Sequence, residues 1–144
     1  IIFVVAAFLA FATGTSWGTF GILIPICIAV FPAAEPLRII SISACMAGAV
    51  CGDHVSPISD TTIMASAGAE CKHVHHVSSQ LPYALTVATV SFVTFAVAGV
   101  TQPLGLVASA VVSWGVGIAL LVTALYVLRR WSATTRDKRT DDNP

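Results

Sequence analysis

The chain has 144 residues, of which 56% are hydrophobic and 10% are charged, with seven Lys and Arg against seven Asp and Glu. Soluble domains carry about 25% charged residues, whereas residues 1–34 and 73–128 contain no Asp, Glu, Lys or Arg. A soluble globular domain and a nucleic-acid-binding protein are excluded, because neither a hydrated surface nor a basic face can be built from this composition.

The first apolar region is interrupted once. Residues 1–13 and 22–31 are apolar, and the stretch TGTSWGTFG that begins at Thr13 contains three Gly, three Thr and one Ser. Such residues form ordinary helix-packing faces as well as site linings, so both interpretations stay open here. The candidate lining residues are Thr15, Ser16 and Thr19.

A second interruption follows the loop at residues 32–36 and a helical segment at 37–52. It reads GDHVSPISDTT, from residue 52 to residue 62, and a half-length apolar segment at 58–68 overlaps it. Pro57 lacks a backbone donor and disfavours helix at Ser56, so we expect the helix to break here. Irregular backbone survives at bilayer depth only where protein buries it or where it lines a wet cavity.

The stretch GDHVSPISDTT combines two carboxylates, a His and four hydroxyls. Ionisable groups within a membrane usually mark an ion or substrate path, and oxygen ligands suit a small cation such as Na⁺. The alternative is a polar loop at the membrane surface in which Asp60 caps the next helix. The candidate ion- or proton-binding residues are Asp53, His54, Ser56, Ser59, Asp60, Thr61 and Thr62.

The last part of the chain contains two plain spans. A polar segment at 70–80 carries His73, His75 and His76, and uncharged apolar spans follow at 81–100 and 104–128. Each span is long enough to cross a bilayer. The histidines favour either a pH-sensing or metal-binding role in a flexible loop, or an interfacial segment at headgroup level.

Five Lys and Arg between residues 129 and 139 predict a cytoplasmic C-terminus. Counting back two spans places Lys72 and the histidines on the same side. Residues 51–62 then lie at membrane depth if residues 39–68 form one interrupted crossing, and a re-entrant hairpin is the other option.

These elements predict an all-α fold: a polytopic transmembrane helical bundle with discontinuous helices. We expect residues 1–128 to form part of a transmembrane transporter domain and residues 129–144 to form a disordered, charged cytoplasmic tail. The first residue is Ile, and no positive region precedes the opening apolar segment, so a signal peptide is not indicated. The chain therefore reads as the C-terminal fragment of a larger transporter.

Three stretches carry a family resemblance: GTSWGTFGILIPI, AGAVCGDHVSPISDTTIMASAGAEC and HVHHVSSQLPYAL. Over residues 11–98 the chain resembles the C-terminal part of the NhaC-type Na⁺/H⁺ antiporter family, which is grouped with ion transporters built from inverted repeats with broken helices. The resemblance implies secondary antiport of Na⁺ against H⁺. It assigns the acidic motif to Asp53, His54, Ser56, Asp60, Thr61 and Thr62, and the GTSWG element to Thr15, Ser16 and Thr19.

The predicted mechanism is competition for one carboxylate. Burial raises the pKa of an aspartic acid and a bound cation lowers it, so Na⁺ and a proton would displace one another. Asp60 is the first choice, because Ser59, Thr61 and Thr62 surround it in the sequence, and Asp53 is the second, with pairing to His54 as its alternative. No cofactor and no metal other than transported Na⁺ are expected.

Other classes fit the sequence less well. An intramembrane aspartyl protease carries Gly-x-Gly-Asp, whereas Cys51-Gly52-Asp53 lacks the first Gly, and a passive anchor has no use for the acidic motif. We therefore predict a transporter in the cytoplasmic membrane rather than an enzyme, with a Na⁺- or H⁺-coupled organic acid exchanger as the alternative. The expected partners are lipid and the missing N-terminal half, with homo-oligomerisation left open and no nucleic acid.

Overall fold

The computed structural model describes residues 1–141, apart from the side chains of residue 106 and of residues 131–141. This part of the chain is helical and contains no strand. The helices are α1 (Ile2–Thr13), α2 (Ser16–Val30), α3 (Pro36–Val55), α4 (Asp60–Gly68), α5 (His73–Thr101) and α6 (Leu106–Asp141), with a short 3₁₀ turn at Gln102–Leu104.

Three of the described segments are long and apolar enough to cross a bilayer: Pro36–Val55, His73–Leu104 and Val107–Arg130. The prediction of an all-α transmembrane bundle is therefore confirmed. The backbone of α6 continues to Asp141. The predicted disordered tail at 129–144 stays a prediction, and its last residues, 142–144, lie outside the described part.

The first interruption is a reversal of the chain. Gly14 ends α1 in the left-handed conformation at φ 68°, which glycine adopts without steric cost, and its N–H donates to the Ala10 carbonyl. Thr15 then caps α2 by accepting a hydrogen bond from the Gly18 N–H at 3.3 Å. Because α2 begins at Ser16, the interruption is confined to two residues and does not extend to residue 21.

Helices α1 and α3 lie backbone to backbone. A Cβ added to Gly48 would lie 2.2 Å from the Phe3 carbonyl oxygen, and one added to Gly52 would lie 1.9 Å from the Ala7 carbonyl oxygen. The two contacts follow in the same order along both helices, so α1 runs parallel to α3. Two glycines four residues apart permit this close approach, as in other membrane helix pairs.

Helix α2 runs in the opposite direction to α3. Ser16, at the start of α2, contacts Asp53 near the end of α3, and Cys27 lies beside Cys45 further back along both helices. Helices α1 and α2 therefore form a hairpin whose tip lies at the C-terminal end of α3. The shared core is built from small and apolar side chains, namely Ala6, Ala10, Leu23, Cys27, Cys45 and Ala49.

The second interruption is shorter than the sequence indicates. Helix α3 extends to Val55 rather than to residue 52, so Asp53 and His54 are helical, and α4 begins at Asp60. Pro57 lies within the four-residue break, where its missing N–H leaves no helical hydrogen bond unmade. With 20 residues, α3 alone is about 30 Å long, the thickness of the hydrocarbon layer.

Helix α5 includes the polar segment that the sequence separates from the span. It begins at His73, so the three histidines lie in its first turns and not in a flexible loop, and Pro82 lies inside it. Membrane helices tolerate an internal proline because neighbouring groups can satisfy the freed backbone carbonyl.

Helix α6 packs against α5 in the opposite direction. The Thr101 and Ser109 hydroxyls are 2.9 Å apart, and a Cβ on Gly117 would lie 2.9 Å from the Thr94 hydroxyl. Gly105 ends the 3₁₀ turn at φ 95°. A Cβ added to Gly115 would meet no atom of another helix within 4 Å.

The helix pairings set the level of the second interruption along the bundle. The Gln80 side chain donates to the carbonyl of His54, next to Asp53. Counting 13 residues along each helix from the Thr94–Gly117 contact brings Leu81 and Arg130 to one level. Asp53 therefore lies near the end of the apolar helices that carries Lys72, and the prediction that residues 51–62 lie at membrane depth stays a prediction.

Candidate functional site

The Asp53 side chain is the centre of the candidate site. It is 7% exposed, and each of its carboxylate oxygens accepts one hydroxyl hydrogen bond. Ser59 donates to Oδ1 at 2.7 Å, and Ser16 donates to Oδ2 at 3.1 Å. Within the described part of the chain, Asp53 has no ion pair with Lys, Arg or His.

Both interruptions contribute to this contact. Ser16 is the first residue of α2 and Ser59 is the N-cap residue of α4, so two helix N-termini approach one carboxylate. A helix N-terminus carries about half a positive charge, which favours an anionic group beside it. The two helix ends therefore place partial positive charge beside Asp53, where the described residues supply no basic side chain.

A hydroxyl chain leads from Asp53 to the exterior of the described bundle. The Ser59 hydroxyl lies 2.7 Å from the Thr61 hydroxyl, and Thr61 is exposed. Because Ser59 donates to Asp53, the Thr61 hydroxyl is the donor in the outer bond. The two hydroxyls therefore connect the buried carboxylate with an exposed oxygen.

Side chains from the break itself, from α4 and from α5 form hydrogen bonds at the second interruption. The Ser56 hydroxyl donates to the Phe11 carbonyl at 2.8 Å, which fastens the break to the end of α1. Thr62 donates to the His54 carbonyl at 3.3 Å, and Gln80 donates to the same oxygen. No buried side-chain nitrogen or oxygen in the described part lacks a hydrogen-bond partner.

The two sequence-predicted carboxylates have different surroundings. Asp60 is exposed, and its Oδ1 accepts from the Thr61 N–H at 2.7 Å in the first turn of α4. The Ser59 hydroxyl, expected beside Asp60, instead donates to Asp53. The geometry of the described residues thus favours Asp53 over Asp60 as the buried carboxylate.

The remaining predicted residues divide between the site and its frame. Ser16, Ser59 and Thr61 form the hydrogen-bonded group with Asp53. Ser56 and Thr62 donate hydrogen bonds to backbone carbonyls around the break. Thr15 caps α2, and the buried Thr19 donates to the Thr15 carbonyl. The His54 side chain is exposed and lies outside the group.

Sequence reasoning did not find several residues that shape the site. Gln80 reaches the second interruption from α5. His73 does so too, although the sequence singled it out only for a pH-sensing, metal-binding or interfacial role. Gly48 and Gly52 bring α1 against α3, and their four-residue spacing was also visible in the sequence.

The site lies beside an open groove between α3 and α5. This groove has a volume of about 690 Å³, and His54, Gln80 and Tyr83 are among its lining residues. Most of its remaining lining is aliphatic, so the groove itself offers few ligands for a cation.

Comparisons with known proteins identify the family. Residues 1–100 match the Na⁺/H⁺ antiporter family. The chain belongs to this family. Membership confirms the family expected from the sequence motifs, and it supports a membrane transporter of the antiporter kind rather than an enzyme.

Two relatives illustrate the match. An uncharacterised protein of Haemophilus influenzae is 58% identical over 102 residues, which are 70% of this chain and 20% of that protein. A malate-2H⁺/Na⁺-lactate antiporter of Bacillus subtilis is 32% identical over 97 residues, which are 67% of this chain and 20% of the relative. The chain thus spans a fifth of the length of each relative. No solved structure matches it.

Proposed function

We propose that the chain forms the C-terminal part of a secondary transporter that exchanges Na⁺ for H⁺, with Asp53 as the carboxylate that binds them in turn. The observation that supports this most directly is a buried aspartate with hydroxyl partners and no basic partner among the described residues. A buried carboxylate is costly when it is charged and unpaired, so it favours either a proton or a metal cation.

The oxygen atoms around Asp53 suit a small cation. Its two carboxylate oxygens and the hydroxyl oxygens of Ser16 and Ser59 form one cluster at the meeting point of α2, α3 and α4. Each hydroxyl can rotate its hydrogen away and offer a lone pair when a cation arrives. The helix N-termini at Ser16 and Ser59 add a positive field that weakens Na⁺ binding and thereby helps its release.

Proton transfer to Asp53 has a route through hydroxyl groups. Thr61 and Ser59 are hydrogen-bonded in series with the carboxylate, and Thr61 is exposed. A proton can reach the carboxylate when these hydroxyls reorient, without a conformational change of the helices. The exchange then needs no covalent step: proton binding expels Na⁺, and Na⁺ binding expels the proton.

The proposal also covers the cellular setting. Basic residues after residue 128 favour a cytoplasmic C-terminus in the cytoplasmic membrane. Lipid and the remainder of a longer transporter are the proposed partners, since the relatives are about five times longer than their matched parts. A homo-oligomer is a further possible partner in this proposal, and no surface of the chain is assigned to it.

The decisive experiment uses the complete protein encoded by the reading frame that contains this chain. It is reconstituted in vesicles with an enclosed pH indicator, and a Na⁺ gradient is imposed. We expect Na⁺-driven proton movement that Asp53→Asn abolishes, because the amide cannot exchange a proton or balance a cation. Asp60→Asn is the matched control and is expected to retain exchange.

Two outcomes contradict this assignment. Undiminished exchange in Asp53→Asn removes Asp53 from the mechanism. Loss of exchange in Asp60→Asn with retention in Asp53→Asn assigns the role to the carboxylate that the sequence alone favours.

The second candidate is an organic acid exchanger coupled to Na⁺ or H⁺. The name of the Bacillus subtilis relative, a malate-2H⁺/Na⁺-lactate antiporter, favours this alternative. Adding malate or lactate to the opposite vesicle faces distinguishes the two, because an acid exchanger shows little Na⁺-driven proton movement until its acid is present.

A further inference from the structure

We propose that His73 is a positioning residue for the Asp53 site, and that its protonated form holds the second interruption in place. This inference rests on the proposed function. The His73 ring is half-buried at the start of α5, and both of its nitrogens have partners outside α5. Nε2 lies 2.6 Å from the Pro57 carbonyl oxygen, and Nδ1 lies 3.1 Å from the Ser66 hydroxyl.

These two contacts join three elements. Pro57 belongs to the four-residue break, Ser66 belongs to α4, and His73 belongs to α5. Ser59, the hydroxyl donor to Asp53, follows Pro57 by two residues and begins α4. A ring that fixes both Pro57 and Ser66 therefore fixes the backbone on either side of Ser59.

The hydrogen-bond partners distinguish the two charge states of the ring. A carbonyl can only accept, so Nε2 must carry a hydrogen toward Pro57. The Ser66 hydroxyl has one hydrogen, and its oxygen also lies 2.8 Å from the Ile63 carbonyl, to which it donates. An imidazolium ring therefore permits all three hydrogen bonds, whereas a neutral ring takes the Ser66 hydrogen and leaves Ile63 without it.

Protonation of His73 consequently stabilises the observed arrangement around Ser59 by one hydrogen bond. As pH rises and the ring loses its proton, that bond is lost and the positioning weakens. This effect has the opposite sign to competition at Asp53, where acidification itself reduces Na⁺ binding.

No charged partner of the His73 ring complicates this assignment within the described residues, because its two hydrogen bonds are to Pro57 and Ser66. Other titratable groups belong to the elements around it and contribute to its field. They are Cys51, Asp53 and His54 on α3, Asp60 on α4, Arg129 and Arg130 on α6, and Glu70, Cys71, Lys72, His75 and His76 at or beside the start of α5.

The test compares His73→Ala with His75→Ala in the complete protein, in vesicles between pH 6 and pH 8.5. His75 is exposed in the same turn of α5 and serves as the matched control. We expect His73→Ala to raise the KM for Na⁺ about tenfold at pH 6, the factor that one hydrogen bond to a charged group supports. The KM of His73→Ala divided by that of the wild type should fall toward pH 8.5. The KM of His75→Ala should equal the wild-type value at every pH.

A ratio that stays constant with pH, or a KM that does not change, overturns the proposal. His73→Gln keeps the donor to Pro57 without the charge, so it should restore the wild-type KM at pH 8.5 but not at pH 6. This variant keeps the test decisive if His73→Ala does not accumulate.

A second measurement is independent of transport. The Tm of the purified wild-type protein should exceed that of His73→Gln by more at pH 6 than at pH 8.5. An equal difference at both pH values contradicts the role of His73. Absence of Na⁺-driven proton movement in the wild type contradicts the proposed function instead.

Discussion

Asp53 differs from every other carboxylate of the described part in being buried and held by two hydroxyls from separate helices. The sequence places Asp60 closer to Ser59, Thr61 and Thr62, yet Asp60 is exposed. Proximity along the chain is a poor guide here, because the break turns the Ser59 side chain back toward α3. The candidate residues are thus predictable as a set, but their roles are not.

Removing the Ser59 hydroxyl tests its contribution to the site. Ser59→Ala deletes a 2.7 Å hydrogen bond to Asp53 and one oxygen ligand, so we expect the KM for Na⁺ to rise about tenfold. Ser113→Ala is the control, since Ser113 is a buried serine that donates to the Ser109 carbonyl on α6. Vesicle exchange measurements give both values. Equal effects of the two changes would contradict a specific role for Ser59.

Thr61 offers a separate test of the hydroxyl route. Thr61→Val preserves the shape of the side chain and removes the oxygen that lies 2.7 Å from Ser59. We expect slower proton release at saturating Na⁺, by about tenfold, with a nearly unchanged KM, as for a step made after binding. Rapid-mixing records of the enclosed pH indicator measure this rate. A large rise in KM with normal release would instead assign Thr61 to cation binding.

At the scale of the helices, close packing of α1 against α3 sets the site. Gly48 and Gly52 allow the two backbones to touch, and this brings the end of α1 and the tip at Gly14 to the second interruption. Gly14 itself lies against the Ile58 backbone, where a Cβ would come within 2.9 Å of the carbonyl oxygen. The two breaks therefore meet because small residues permit it.

Substitution at this contact should be costly. In Gly52→Ala the new methyl group would lie 1.9 Å from the Ala7 carbonyl oxygen, so α1 must move away. Overpacking of this kind destabilises a protein by about 1–3 kcal/mol. Gly21→Ala is the control, because no atom lies within 4 Å of its added Cβ and alanine favours helix. Thermal unfolding in detergent should show a lower Tm only for Gly52→Ala.

At the scale of the whole molecule, the charged ends of the bundle are unequal. Lys72, Arg129 and Arg130 lie at the end that contains the Asp53 site, whereas Glu35 and Arg38 lie at the other. The positive-inside rule then predicts that the site opens toward the cytoplasm. Because Asp53 lies near that end of the apolar helices, we expect water to reach it from the cytoplasm by a short path.

Cysteine labelling tests this orientation. Cys71 is exposed between α4 and α5 and should react with a membrane-impermeant maleimide in inside-out vesicles but not in intact cells. Ala33→Cys, in the exposed loop between α2 and α3, should give the reverse pattern in a variant without Cys71. Reaction of Cys71 from outside the cell would invert the proposed topology.

The sequence alone showed that the chain lies in a membrane, which segments form its long helices, and which polar residues occupy the two interruptions. Long uncharged segments can satisfy their backbone in lipid only as helices, so residues 81–100 and 104–128 were recognisable as spans. Pro57 and the glycines similarly marked the breaks, because their backbone preferences act locally. The position of Asp53 along the length of the bundle could not be predicted in this way, since it depends on which residues of α3, α5 and α6 lie side by side.

Only the tertiary structure decided which carboxylate is buried and which hydroxyls reach it. Ser16 and Asp53 are 37 residues apart in the sequence, and their contact exists because α1 and α2 reverse at Gly14 and return along α3. His73 reaches Pro57 for a similar reason, through the antiparallel packing of α5 on α3. Such contacts depend on helix direction and approach, which composition and periodicity do not encode.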